Sequence, residues 1–197
     1  MAIAINGTGT LTGISVGGLP DGIVDTDMLA ANAVTAAKAS GSVKGMTMAD
    51  QWRLTTNLSL SATTTTVITS NWERPDQTGW AYVGTGMSES SGVFTFPETG
   101  IYKISYFPLW DTSTTISNAW SYINCTTDGT NYTEFALACV SMQSGQMSST
   151  ALETYFDVTN VSTHKVKFSH YGSAACIVSG NTNANRTSAT FIRLGDT

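Results

Sequence analysis

The sequence predicts an all-β fold, an antiparallel jelly-roll sandwich, over residues 51–197. Apolar side chains alternate with polar ones, as between Trp52 and Leu60, which is the pattern of strands with one buried face. Turn signals such as the Pro-Glu-Thr-Gly run at 97–100 recur at roughly the 8–12-residue spacing of a sandwich. No part of this region has the periodicity of a long helix.

The same alternation divides the region into strands and marks its core. Beyond the 52–60 stretch, we expect strands at residues 80–84, 92–97, 101–109, 118–126, 133–141, 151–158, 164–171 and 188–194. Large aromatic side chains on their apolar faces are expected to pack in the core or at a subunit interface. These are Phe94, Phe96, Tyr102, Tyr106, Phe156, Phe168 and Phe191.

The N-terminal quarter of the chain differs in composition from the rest. Residues 1–20 mix short β-prone pieces with glycines and bury little by themselves, so they need a neighbour to pack against. Residues 21–50 contain a short repeat marked by Val24, Val34 and Val43, with units too short to bury their own faces. This segment is expected to be a stem or linker, either extended or in short helical pieces.

Charge and hydropathy argue against two classes of partner. The net charge is −5 and no Lys or Arg cluster is present, so we expect no nucleic-acid binding. Apolar runs fall far short of the roughly 20 residues that span a bilayer, so we expect no membrane insertion. The start MAIAINGTGT lacks the basic and apolar regions of a signal peptide.

Candidate catalytic and metal-binding residues do not cluster in the sequence. His164 and His170 belong to one predicted strand region without an acidic residue or cysteine at metal-ligand spacing, so local packing or hydrogen bonding is expected. Acidic residues are scattered singly, and the three cysteines form no Cys-x-x-Cys pair. We therefore expect no enzyme activity, no cofactor and no metal, and we rank glycan degradation last among the possible functions.

One stretch resembles a known signature. The pattern Gly92-x-Phe94-x-Phe96-Pro-x-x-Gly100-x-Tyr102-x-Ile is similar to the central motif of the tumour-necrosis-factor and complement-globular-head superfamily. The segment at 190–194 resembles the last strand of that family. The resemblance covers about residues 50–197 and implies a homotrimeric jelly-roll head. The Gly-Asp that the family has between its late strands is absent here.

The N-terminal segment resembles the stems of bacteriophage tail or head fibres. This implies a virion protein made in the bacterial cytoplasm, with residues 1–20 docking on other virion proteins, 21–50 as stem and 51–197 as head. The head would bind the host surface. The alternative is a decoration protein of the capsid or tail that stabilises the particle without recognising a receptor.

The jelly-roll resemblance also orients the loops. Both ends of the head and the turns at 97–100, 127–132 and 159–163 are expected at a base near the stem. The loops 110–117, 142–149 and 179–187 then lie at the apex, where they offer a hydrogen-bonding surface for a glycan or a polar protein face, or are merely solvated. The candidate receptor-binding residues are Asp111, Thr114, Gln143, Gln146, Asn181, Asn183, Asn185 and Arg186.

Overall fold

The computed structural model describes residues 46–197, which form β-strands joined by turns and loops, without a helix in this part of the chain. The fifteen strands, numbered in chain order, are β1 Ala49–Leu54, β2 Leu58–Leu60, β3 Thr65–Val67, β4 Trp72–Glu73, β5 Ser88–Ser90, β6 Val93–Thr95, β7 Gly100–Phe107, β8 Leu109–Asp111, β9 Ile116–Thr126, β10 Thr133–Met142, β11 Met147–Ser149, β12 Leu152–Val158, β13 Lys165–Gly172, β14 Cys176–Val178 and β15 Ser188–Gly195.

The strands form three sheets. A five-stranded sheet has the order β12-β7-β15-β1-β4, and a six-stranded sheet has the order β10-β9-β13-β6-β5 with β3 also paired to β13. A small four-stranded sheet has the order β11-β8-β14-β2. All pairs between named strands are antiparallel. The predicted all-β antiparallel jelly roll is therefore confirmed.

Aromatic rings fill the space between the two large sheets. Phe94 on the six-stranded sheet meets Trp52 and Phe191 on the five-stranded sheet, with ring centroids 5.5 and 5.2 Å apart. Each such ring contributes about 1.5–3 kcal/mol by leaving water. The seven aromatic residues expected in the core or at an interface are each at most 3% exposed within the single chain.

Two glycines of the 92–104 motif are required by close backbone contacts. Gly92 has a φ of +80°, and a Cβ there would lie 1.9 Å from the carbonyl oxygen of Ile68. Gly100 has a φ of +143°, and its Cβ would meet the Arg193 side chain at 2.5 Å. Tyr102 completes the corner, because its hydroxyl donates a hydrogen bond to the Glu98 carbonyl at 2.9 Å.

The strand predicted at 80–84 is wrong. Only Val83 forms an isolated bridge there, to Ala49. Gly79 and Gly84 both have positive φ, at +94° and +72°, and these left-handed positions turn the chain on either side. The place beside β1 is taken by β4 instead.

The head extends N-terminally of residue 51. Met48 is buried in the core and β1 begins at Ala49, so residues predicted as the end of the stem belong to the head. The predicted docking segment at 1–20 and the stem up to residue 45 lie outside the described residues. No helix in the described part of the chain is suited to cross a membrane.

Candidate functional site

The strand registers define two ends of the head. At one end, Gly100 pairs with Val158 and Thr126 with Lys165, so the turns at 97–100, 127–132 and 159–163 share it. The Arg193 amide donates to the Met48 carbonyl at 3.0 Å, which brings the described chain start and its C-terminal strand together there. We call this end the base and the opposite end the apical end.

Two of the loops predicted at the apex contact each other directly. The Gly145 amide donates to the Thr112 carbonyl at 2.8 Å, and the Ser144 hydroxyl donates to the Ser113 carbonyl at 2.7 Å. Thr115 Oγ1 donates to Gln143 Oε1 at 3.3 Å. The β8–β9 and β10–β11 loops therefore form one continuous polar surface.

The third predicted loop, at 179–187, lies beside β1. The Asn181 amide donates to the Leu54 carbonyl at 2.8 Å, and Asn185 Nδ2 donates to Gln51 Oε1 at 2.7 Å. The loop returns to the apical side of β8, where Thr187 Oγ1 accepts the Leu109 amide at 3.0 Å. The three loops thus share the apical end without forming a single cluster.

The exposure of the eight candidate residues separates them into two groups. Asp111 and Asn181 are half-buried, and the other six are exposed. Some of these side chains shape their own loops, because Gln146 Oε1 accepts the Gln143 amide at 3.0 Å and Asn181 Oδ1 accepts the Asn183 amide at 2.7 Å. Asp111 is the last residue of β8 and not a loop residue, which corrects its sequence-based placement.

The sequence missed the four-stranded sheet that lies under the apical loops, because strands of three residues leave almost no alternation to detect. Its inward face joins the core through Trp110, which is fully buried and meets the His170 ring edge-on at 5.0 Å. The β13–β14 loop joins the same end, where Ser173 Oγ accepts the Asn118 amide at 3.1 Å.

A cavity of about 470 Å³ opens on this small sheet. On the outward face of this sheet, Asp111 pairs with Met147 on one side and with Ile177 on the other, and Ile177 pairs in turn with Ser59. These four residues form a row across the strands. The cavity is lined by Ser59, Leu60, Asp111, Thr112, Ser113, Gly145, Ala175, Cys176 and Ile177. We call this cavity the Asp111 depression.

A buried arginine supports the 179–187 loop. Arg53 is fully buried, and its guanidinium donates to Glu73 Oε1 at 2.7 Å and to Asp76 Oδ1 at 2.6 Å. Thr182 Oγ1 donates to the same Glu73 oxygen at 2.9 Å. This contact between residues distant in sequence has no local motif, so only the structure could reveal it.

The two histidines lie apart and hydrogen-bond locally. His170 is buried between Tyr106 and Ser121, and burial lowers its pKa to about 3. His164 lies at the base beside Thr159 and Thr163. The described residues contain no group of three metal-ligating side chains.

The outward face of the five-stranded sheet exposes large apolar side chains. Tyr155 is 66% exposed, Leu194 54%, Phe107 40% and Ile101 37%. Between them, Lys103 forms an ion pair with Glu153 at 2.9 Å, and Glu153 also accepts the Ser105 hydroxyl. Such a mixed apolar face is typical of subunit contacts.

The outward face of the six-stranded sheet carries a second apolar band. Trp120 pairs with Cys139 on β10 and with Tyr171 on β13, and Leu137 lies one row away with 47% of its surface exposed. This band is on the opposite sheet from Tyr155.

Three solved structures share this architecture. Vertex protein P5 of PRD1 matches with a TM-score of 0.51 at 19% identity, over 76% of this chain and 99% of its own. Murine APRIL matches with a TM-score of 0.55 at 12% identity, over 75% of this chain and 98% of its own. The head is a tumour-necrosis-factor-like jelly roll. Eiger TNF from S. frugiperda matches this jelly roll with a TM-score of 0.53 at 10% identity, over 77% of this chain and 95% of its own.

The likeness of this tumour-necrosis-factor-like head to those structures is a likeness of fold. No family model matches the chain, and no curated protein matches it.

Proposed function

We propose that this protein is a bacteriophage virion structural protein, a homotrimeric fibre or spike whose jelly-roll head binds the host surface. The observation that carries the proposal is the shared fold with a vertex protein of PRD1 over 99% of that protein's chain. The phage-like stem sequence at 1–50 supports it independently. The proposal includes no catalytic step and no cofactor.

Three copies are proposed to associate through the outward face of the five-stranded sheet. Tyr155 and Leu194 are the most exposed apolar side chains of that sheet, and a single copy leaves them in water. Burying such side chains stabilises an assembly by roughly 25 cal/mol for each Å² removed from water. The Lys103–Glu153 pair within the same face would help to fix the relative position of the subunits.

The base geometry supports an outward-facing apical end. Arg193 Nη1 lies 3.3 Å from Thr47 Oγ1 at the base, so the described part of the chain begins on that side of the head. If residues 1–20 dock on other virion proteins, the base faces the particle and the apical loops face the host. Binding sites are commonly carried by loops on a rigid scaffold, as here.

Competition for adsorption tests this proposal. Purified protein should reduce phage adsorption to host cells, and the combined variant Thr114→Ala, Asn183→Ala and Arg186→Ala should compete at least tenfold less well. The matched control is Ser162→Ala, which changes an exposed side chain at the base and should compete like the wild type. Failure of the wild-type protein to compete would contradict host binding.

The second candidate function, a decoration protein, is favoured by the band around Trp120 and Leu137. An apolar band on the outer sheet suits a contact with a neighbouring virion protein. In that case, virions without the protein would remain infectious but lose infectivity faster on heating. Loss of adsorption with unchanged heat stability would instead favour the host-binding proposal.

A further inference from the structure

The Asp111 depression holds a carboxylate without an intramolecular partner. Within residues 46–197, no hydrogen bond or ion pair reaches the Asp111 side chain, although the residue is half-buried. Its neighbours in the strand row, Met147 and Ile177, are apolar and cannot donate. A carboxylate in this position gains from a ligand that brings hydrogen-bond donors.

The charge and lining of the depression restrict the ligand. No Lys or Arg lines it, so phosphate and carboxylated sugars would meet uncompensated repulsion from Asp111. The exposed hydroxyl groups of Ser59 and Ser113 add donors and acceptors, and the side chain of Ile177 offers apolar surface. This combination matches a neutral ligand with several hydroxyls and C–H faces.

The volume is that of a small-ligand site. The cavity of about 470 Å³ lies within the range of roughly 300–1,000 Å³ that is usual for small-molecule pockets. Its rim is formed by two loops that hydrogen-bond each other through Gly145 and Thr112, so its shape is fixed before a ligand arrives.

We propose that the Asp111 depression binds a neutral hexopyranose unit of a glycan, with two neighbouring sugar hydroxyls donating to the Asp111 carboxylate. The assignment rests on the proposed function, since it makes a host glycan the ligand of the apical end. Ser59 and Ser113 form hydrogen bonds with further hydroxyls, and the Ile177 side chain contacts a C–H face of the ring.

Saturation-transfer NMR on the full chain tests the site with five probes. Methyl glucoside, methyl galactoside and methyl mannoside are the neutral probes, with glucosamine and glucuronate as charged comparisons. At least one neutral glycoside should give a signal, and Asp111→Asn should weaken its affinity at least tenfold, as expected for a hydrogen bond to a charged group. Ser59→Tyr, which fills the depression, should abolish the signal.

The matched control is Glu134→Gln, which removes an exposed carboxylate near the base end of β10. It should bind like the wild type, and equal melting temperatures should show that all variants are folded. Binding of glucosamine or glucuronate alone, or glycoside binding unchanged in both Asp111→Asn and Ser59→Tyr, would overturn the inference.

The outcome separates this inference from the proposed function. Competition for adsorption without any glycoside binding would overturn the saccharide site and leave host binding in place. Glycoside binding that depends on Asp111, without competition for adsorption, would support the site and contradict host binding.

Discussion

The hydroxyl group of Tyr106 lies 2.7 Å from Nε2 of His170, between the two large sheets. Ser121 Oγ lies 3.1 Å from the other ring nitrogen, and the Tyr106 ring stacks on Phe168 with centroids 4.3 Å apart. All of these groups are buried, and the tyrosine, histidine and serine form a polar network in the core whose members satisfy each other.

The stability of the head should fall when the pH drops below about 6.5. Burial lowers the pKa of His170 from 6.5 to about 3, so the unfolded chain binds this proton more readily than the folded chain. Stability from the neutral imidazole is present above pH 6.5 and is lost as the pH falls toward 3, by up to about 1.4 kcal/mol per pH unit. Denaturant titrations across this range measure it.

The matched variants for this prediction differ in one group each. His170→Gln keeps a hydrogen-bonding side chain but cannot titrate, so the slope between about pH 6.5 and 5 should flatten. Tyr106→Phe removes the hydroxyl and leaves the histidine buried, so the slope should remain. If the unfolding free energy of His170→Gln kept the same dependence on pH, His170 would not be the group responsible for it.

Gly92→Ala should destabilise the head by about 3 kcal/mol or more. The added Cβ would overlap the Ile68 carbonyl oxygen at 1.9 Å, and the φ of +80° is strained for alanine. Gly79→Ala is the control, because its φ is +94° and nothing lies within 4 Å of the added atom. It should cost about 1 kcal/mol. Equal losses in chemical denaturation would show that the Ile68 contact is unimportant.

Arg53→Leu should cost roughly 1–3 kcal/mol of unfolding free energy, because the guanidinium's hydrogen bonds to Glu73 and Asp76 are lost, while water solvates the Asp76 carboxylate, which is 77% exposed. The 179–187 loop should also loosen through Thr182, and faster amide hydrogen exchange there would report it. Arg186→Gln, which changes an exposed guanidinium on the same loop, should stay within about 0.5 kcal/mol of the wild type. An equally small loss of unfolding free energy in Arg53→Leu would contradict the conclusion that Arg53 supports the 179–187 loop.

Tyr155→Lys should convert the proposed trimer into single chains. The new cation would stand beside Lys103, its neighbour in register, and would be buried at the subunit contact without a partner. Leu137→Lys makes the same change of charge at an exposed apolar residue of the other sheet and should leave the trimer intact. Sedimentation velocity measures whether each variant is a trimer or a single chain. Dissociation of both variants would contradict a subunit contact confined to the five-stranded sheet.

The fold could be predicted because its main signals are local. Alternation in the 101–109 and 164–171 segments identified β7 and β13, and the motif at 92–104 identified the corner that Gly100 and Tyr102 build. The 80–84 strand failed because its alternating residues are flanked by glycines in left-handed conformations, which alternation alone does not reveal.

The candidate site was predictable only in part. Loop order along antiparallel strands placed 110–117 and 142–149 at one end, where they do contact each other. The Asp111 depression depends on pairing between β8, β11 and β14, three-residue strands whose register arises from tertiary packing. Arg53 was missed for a related reason, since its partners lie beyond any local pattern.

The mass of the purified chain in solution tests the account most directly, since the trimeric spike and its subunit contact both depend on the trimer. A single chain has a mass of 20.8 kDa, and sedimentation equilibrium should give three times this value over a wide range of protein concentrations. A mass equal to that of the single chain at all concentrations would contradict the trimeric spike.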